Sequence, residues 1–376
     1  MPVAPSAELL DVLERTPDVD APELVAVDAA DRLLLDTAAP LVAAAPEAVA
    51  VVDDAYGALT LGALALHGAT RVRVHQDSVV GEQALARNAE RIGLTDGWRS
   101  LPLGADLVRG ARLVVVRAPR GLDALREIAE VVAADADPDV TVLVGGRVKH
   151  MTHAMNDVLR DSFTEVSAGL GRQKSRVLTA RGPRPGPPSF PRCEQHPDIG
   201  LTVCAHGAAF AGPRIDVGTR ALLAVLDEMA PDAATAVDLG CGTGVLAAAL
   251  AHRRPDLRVT AADSSAAAVA SAAATAQANG LSDRIGPVRD DAGSSLPPGS
   301  ADLVVCNPPF HSGAAVVPAL AARLFRGAAR VLRPGGELGT VYNTPLDHRT
   351  ALSLIVGPTR FASRTPKFTV AVSVRR

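Results

Sequence analysis

The sequence predicts an α/β protein made of two consecutive units, each an open, mostly parallel sheet flanked by helices. Three observations carry this. Short β-branched runs alternate with alanine-rich stretches of helical length. The alternation occurs twice, in halves of similar length. Between the halves, residues 181–192 hold five prolines and two glycines in twelve positions, a composition expected to break helices and central strands. The expected boundaries are 1–180 for the first unit, 181–198 for a linker and 199–376 for the second unit.

In the first half, 48–54 reads as a strand running into the turn Ala55-Tyr-Gly-Ala-Leu59. A second strand, 70–77, ends in the acid Asp77. A third spans 113–120 and a fourth 140–145. In the second half, 235–241 reads as a buried strand and 245–252 as the helix after it. Residues 257–263 form the next strand, and 264–279 a long alanine-rich helix stopped at Gly280. Residues 302–307 are another buried strand, ended by Pro308-Pro309. A helix over 317–332 is closed by Arg333-Pro-Gly-Gly336, and 337–343 is a strand. Residues 360–374 read as two strands around the Thr365-Pro-Lys turn. The echo between halves suggests a duplication at domain scale.

The 376 residues are 48% apolar and 21% charged, an ordinary globular balance that argues against disordered and disulfide-scaffold classes. A net charge of -3 excludes a globally basic nucleic-acid binder, so any such site is a local patch. The four cysteines, at 193, 204, 241 and 306, show no CxxC spacing and no metal or redox motif. They are expected to be free thiols in a reducing cytoplasm. Acids at Glu8, Asp11 and Glu14 and the lack of an apolar core exclude a signal peptide, and no apolar run reaches membrane-spanning length. A monomer without metal and without membrane contact is expected.

The chemistry concentrates at two places. Asp238-Leu-Gly-Cys-Gly-Thr-Gly244 sits between a strand and a helix. Alternate glycines let the backbone bend and a ligand approach without Cβ interference, at a helix end with unpaired N–H groups. A nicotinamide fingerprint fits weakly as Gly242-x-Gly244-x-x-Ala247. The competing reading is motif I of class I S-adenosylmethionine methyltransferases, which the Asp-x-Gly-x-Gly-x-Gly form resembles. Asp263, ending the next strand, suits a ribose in either case. The bland alternative is an ordinary tight turn.

Asn307-Pro-Pro-Phe310 lies at the carboxyl end of a buried strand, the edge where open α/β sheets bind ligands. Asn307 supplies a carbonyl acceptor. Pro308 and Pro309 add backbone carbonyls but no N–H. Phe310 offers a flat face for stacking a base. Two acceptors holding the hydrogens of a planar exocyclic amine free its lone pair to attack a sulfonium methyl in line. A nicotinamide dehydrogenase leaves this motif without a task.

Asn-Pro-Pro-Phe/Tyr is found in methyltransferases acting on amino groups of bases or of a glutamine amide. Together with Asp216-Val-Gly-Thr219 ahead of motif I and His311 after the motif, it resembles the guanine-N2 ribosomal RNA methyltransferases. The stretches 53–59, 145–150 and 173–176 are more similar to the large-subunit (G) type than to the small-subunit (C) type. The resemblance implies two tandem Rossmann-like methyltransferase domains, the first degenerate, the second active with a mostly parallel seven-stranded sheet. It implies S-adenosyl-L-methionine as cofactor and ribosomal RNA, or a ribosomal subunit assembly intermediate, as partner. Cofactor contacts are then expected from Asp216, Gly218, Asp238, Gly240, Gly242, Gly244, Asp263, Ser264 and Asp291, with Asp290 the alternative to Asp291. Catalysis falls to Asn307, Pro308, Pro309 and Phe310.

RNA needs cations. Between 166 and 193 there are six and no acid, among them Arg172, Lys174 and Arg176. Residues 339–376 hold six more, Lys367 included, against the single acid Asp347. Arg172, Lys174, Arg176, His311 and Lys367 are therefore the expected RNA contacts. Solvated surface arginines are the plain alternative for either stretch. Trp98 is expected to pack rather than stack, Tyr56 to fill the first unit's turn, and Cys241 and Cys306 to pack as small apolar groups. A non-catalytic RNA-binding protein would fit the first half alone, and an adenine or glutamine-amide methyltransferase the second.

Overall fold

The computed structural model describes residues 7–18, 24–308 and 316–376. The chain divides into two compact units, Met1–Phe190 and Pro191–Arg376.

The first unit contains α1 (Ala29–Ala44), β1 (Val49–Val52), α2 (Ala58–His67), β2 (Val72–His75), α3 (Val79–Ile92), β3 (Trp98–Ser100) and α4 (Ala105–Val108). There follow β4 (Leu113–Arg117), α5 (Leu122–Asp135), β5 (Thr141–Arg147), α6 (His153–Ser162), β6 (Phe163–Ala168) and β7 (Ser175–Pro183). The strands form one sheet ordered β3-β2-β1-β4-β5-β7-β6, parallel except for β7, which runs against both neighbours. Both faces are covered, so β1 is buried at every residue. Val49 and Val51 face Leu34, Leu61 and Leu85 of α1–α3, while Ala50 and Val52 face Leu125, Ile128 and Met155 of α5 and α6.

The second unit opens with the hairpin β8 (Arg192–His196) and β9 (Leu201–Ala205), then α7 (Val217–Leu223), β10 (Thr235–Leu239), α8 (Val245–Arg253), β11 (Arg258–Asp263), α9 (Ala266–Ala278) and β12 (Ile285–Arg289). It continues with β13 (Ala301–Cys306), α10 (Val316–Val331), β14 (Leu332–Asn343), α11 (Arg349–Ile355), β15 (Thr359–Arg364) and β16 (Phe368–Val374). Its main sheet is ordered β12-β11-β10-β13-β14-β16-β15, the same winding as the first. The expected doubly wound architecture is present twice. Each sheet reverses direction of winding at one place, between β1 and β4 in the first unit and between β10 and β13 in the second. That switch point opens a crevice at the strands' carboxyl ends.

Two expectations need correction. The linker does not span 181–198: β7 continues through Pro183 and β8 begins at Arg192. Residues 181–183 run past the end of β5 and pair only with β6, so the N–H that Pro183 lacks is not needed on the other side. The cysteines are not all free either. Antiparallel register sets Cys193 opposite Cys204 with Cα atoms 4.0 Å apart, and the two are disulfide-bonded. Spacing along the chain does not reveal this pair, because hairpin register decides it. Cys241 and Cys306 are free and buried, as expected.

Candidate active site

The glycine loop between β10 and α8 forms the floor of the second unit's switch-point crevice. Asp238, fully buried on β10, accepts the Ala247 N–H (3.0 Å), while its other carboxylate oxygen has no partner. Burial, reinforced by the nearby Asp263 charge and opposed by the Ala247 hydrogen bond, pushes its pKa up to about 7. Gly240, Gly242 and Gly244 all take positive φ. A Cβ at Gly240 or Gly242 would meet nothing within 4 Å, so the loop's upper surface is open. Gly244 differs: a Cβ there would lie 2.8 Å from the Ala272 side chain on α9. Its missing Cβ is thus also what lets α9 pack against the loop.

Asp263 ends β11 beside this loop. Its carboxylate accepts the N–H groups of Gly242 (2.9 Å) and Ser265 (2.9 Å), tying the glycine loop to the adjacent strand end. Ser264 is half-buried between Asp263 and Ser265, the residue that caps α9. Of the two acids after β12, Asp290 is buried and caps its own turn, accepting from Ser294 Oγ (2.9 Å) and the Ser295 N–H (2.8 Å). Asp291 pairs with Arg323 of α10.

Asn307 follows β13 directly, on the other side of the switch point. Its amide nitrogen donates to Thr219 Oγ1 (2.9 Å) and Asp216 Oδ2 (3.3 Å). The Thr219 hydroxyl donates in turn to Asp216 Oδ2 (2.5 Å), and Asp216 caps α7 by accepting the N–H groups of Gly218 (2.8 Å) and Thr219 (3.1 Å). A carboxylate can only accept, so this network orients the Asn307 amide with nitrogen inward. The carbonyl Oδ1 is left buried without a partner, at a cost of about 1–3 kcal/mol unless a donor fills it. Gly218 lies beside it; a Cβ there would be 3.5 Å from Asn307 Oδ1 and 3.4 Å from the Phe368 ring. Pro308 is described and buried, while Pro309, Phe310 and His311 lie outside the described residues.

The structure therefore brings Asp216, Gly218 and Asn307 together, and separately Asp263 with Gly242. Sequence reading missed Thr219 and Phe368 as site members. Thr219 lay within the quoted Asp216-Val-Gly-Thr219 run, but its contact with Asn307 spans 88 residues. Phe368 adjoins Lys367, whose exposed ammonium sits 5.6 Å from the Phe368 ring centre. Of the other expected RNA contacts, His311 lies outside the described residues and three belong to the first unit. Arg172 forms an ion pair with Asp36, Lys174 is exposed in the β6–β7 turn, and Arg176 is half-buried with its Nε unpaired. No group of three His, Cys, Asp or Glu able to hold a metal occurs among the described residues, and no helix there is long and apolar enough to cross a membrane.

At the first unit's switch point the same positions look different. Asp54, buried like Asp238, accepts the N–H groups of Leu59 (2.6 Å) and Thr60 (2.8 Å). Tyr56 stands where the glycine loop would be, donating to Asp18 (2.6 Å) under the Arg15 guanidinium. Asn88 fastens Tyr56 and Glu14 together through their backbone carbonyls, both at 2.8 Å. The segment around Arg15–Asp18 is packed onto this loop, and Ala118-Pro-Arg120 stands in place of Asn-Pro-Pro.

Two family models match the chain: a methyltransferase small domain over residues 200–372 and the RLMG N-terminal domain over residues 5–184. The ribosomal RNA large subunit methyltransferase G of Pseudomonas aeruginosa strain UCBPP-PA14 is 36% identical over 365 residues, covering 95% of this chain and 96% of the relative. That of Pseudomonas syringae pv. syringae is 35% identical, covering 98% of both. A solved structure, a T. thermophilus 16S rRNA N2 methyltransferase in complex with AdoMet and guanosine, matches with a TM-score of 0.74 at 22% identity. It covers 93% of this chain and 92% of that one, a likeness of fold.

Proposed function

We propose, for a chain that belongs to the ribosomal RNA large subunit methyltransferase G family, that it transfers a methyl group from S-adenosyl-L-methionine to the exocyclic 2-amino group of a guanine in ribosomal RNA. The observation that carries this reading is the buried, partnerless Oδ1 of Asn307, held outward by Thr219 and Asp216. An acceptor fixed in that way is made for an N–H donor of a ligand.

The chain's residues fit the cofactor. Gly240 and Gly242 leave room for a close backbone approach. Asp263, tied to Gly242 at the end of β11, sets a carboxylate beside the open glycine loop, where it suits ribose hydroxyls. Of the two acids after β12, Asp290 is the better placed for an adenine amine: its turn uses Oδ1 alone and leaves Oδ2 buried without a partner, whereas Asp291 is held by Arg323. Asp216 is reassigned from cofactor contact to positioning, since its oxygens are occupied by α7 and Asn307.

S-adenosylmethionine supplies an electrophilic methyl group on a sulfonium. Asn307 Oδ1 accepts one hydrogen of the guanine amine, and the Pro308 carbonyl, on a residue with no N–H to compete, accepts the other. Holding both hydrogens draws the nitrogen lone pair out of conjugation and aims it at the methyl carbon; as the N–C bond formed, the methyl–sulfur bond would break to leave a neutral thioether, and the surplus proton on nitrogen would pass along these acceptors to water. The chain thus acts by positioning and by preorganised acceptors rather than by a strong base. Phe368 gives the pocket an apolar wall. The substrate places the reaction in the cytoplasm, on ribosomal RNA or on an assembling subunit.

The test is incubation of the purified chain with labelled cofactor and unmethylated ribosomal RNA, followed by nucleoside mass spectrometry. N2-methylguanosine at one position is expected. Label in adenine, or in protein, would overturn the reading.

A further inference from the structure

Several arginines of the first unit are matched by acids: Arg32, Arg91, Arg117, Arg126 and Arg160 each meet a carboxylate. Another group of arginines gathers with little such compensation. Arg73 on β2 and Arg99 on β3 are register partners in a parallel pair, so they rise from the same face at the edge of the sheet. Arg71, two residues before Arg73, and Arg109, just after α4, join them around a cleft of about 900 Å³. Asp106 is the one acid lining it among the described residues.

These cations are not compensated internally. Among the described residues Arg71 and Arg99 form no ion pair and no side-chain hydrogen bond. Arg109 reaches Asp106 only at 3.6 Å, with both side chains more than two-thirds exposed, a geometry worth little in water. The Arg73 guanidinium is fixed instead by two backbone carbonyls, of Arg109 (2.6 Å) and Asp106 (3.4 Å). Partial burial, and then the Arg71 charge, hold its pKa below the ordinary arginine value. Four like charges gathered in one cleft, one of them preset by carbonyls, make a site that lacks only its anion.

We propose that this cleft grips the phosphodiester backbone of the RNA substrate. The inference rests on the functional reading above and adds a contact site that the expected stretch at 172–176 does not include. A backbone fits better than a free anion: the guanidinium groups come from separate elements and line a space many times the size of one phosphate. Planar guanidinium groups pair bidentately with phosphate oxygens.

The test uses the full chain and binding to an unmethylated ribosomal RNA fragment across a salt series. Arg71→Gln with Arg99→Gln removes two exposed charges. RNA affinity should fall roughly eightfold per lost contact at 0.1 M salt, with the salt slope shallower by about 0.9 per contact. Cofactor affinity should stay unchanged. Asp106→Asn should do the opposite and tighten RNA binding, which a folding defect would not. Trp98, the one tryptophan of the chain, lines the cleft and reports occupancy by fluorescence. A response to RNA that inorganic phosphate does not reproduce below 1 mM supports the proposal; saturation by phosphate alone overturns it in favour of a small-anion site. An unchanged slope in the double variant also overturns it. The slope is read from binding alone, so failure of the wild type to methylate RNA would condemn the functional reading without deciding the cleft.

Discussion

Thr219 supports two groups with one hydroxyl: it donates to Asp216 and accepts from Asn307. Thr219→Val keeps the shape and removes the hydroxyl, so the Asn307 amide loses its restraint. Turnover should fall about 10- to 100-fold, the equivalent of roughly 1.4–2.7 kcal/mol, with cofactor KM unchanged. Thr219→Ser should recover most of the rate. Asn307→Ala should lose more turnover and still bind cofactor, because it removes the acceptor itself. An equal loss of cofactor affinity in either variant would contradict the assignment. Asp238 gives a pH-dependent counterpart. Its folded pKa of about 7 stands above the unfolded value near 3.8, so the folded state holds a proton that the unfolded state releases. The stabilisation from that proton is complete below about pH 4 and drains away as pH rises to about 7. Asp238→Asn lacks this term. Its stability advantage over wild type should grow between pH 4 and 7 and level off above, measured by denaturant midpoints. A gap that ignores pH would mean that Asp238 stays charged.

At the scale of elements, the glycine loop joins two jobs that mutation separates. Gly244→Ala meets both a left-handed backbone and the Ala272 side chain of α9, so it should cost about 2–5 kcal/mol of stability. Gly242→Ala meets only the backbone penalty, about 1–2 kcal/mol, and should instead weaken cofactor binding. Equal stability losses would mean that α8 and α9 do not depend on this close approach. The same contrast explains what was legible. The strands at 235–239 and 301–306 are buried along most of their length and read as mostly apolar runs, each with one aspartate, Asp238 and Asp302. The edge strand β12, Ile285-Gly-Pro-Val-Arg289, carries a glycine and a proline that only an edge tolerates, and its bounds are not marked in the sequence. β3 is only three residues long, and β8 (Arg-Cys-Glu-Gln-His) is polar. Neither announces itself, and with β8 went the Cys193–Cys204 pairing. In the site, residues close in sequence were readable: the glycine spacing and Asn307-Pro-Pro. Thr219 reaches Asn307, and Phe368 reaches Gly218, by tertiary folding alone.

For the whole molecule, two sheets of identical winding carry different contents at their switch points. Asn307 and an open glycine loop occupy the second; Tyr56 and its fastening to Asp18 and Asn88 occupy the first. Residues 1–190 should therefore bind no S-adenosylmethionine in a calorimetric titration, while residues 191–376, if folded, bind it as the full chain does. The isolated second unit should methylate RNA poorly, with the loss in RNA affinity; full activity would show that the first unit recognises nothing. The membership of the family leaves no place for the dehydrogenase alternative, which never accounted for Asn307 and Pro308.

Each sheet also finishes in an unusual order. β16 does not add at the rim but slots between β14 and β15, hydrogen-bonding to both. The sheet is thus keyed by its last strand, as an arch is by its final stone. A chain shortened after Arg364 would lose more than seven residues of strand. It would leave β14 and β15 with two facing rows of unpaired N–H and C=O groups, a template for joining other chains. Such a chain should collect in insoluble aggregates on expression, with a synthetic peptide of residues 366–376 supplied during refolding restoring soluble protein. Soluble, cofactor-binding protein without the peptide would show that the parallel core from β12 to β14 stands unaided.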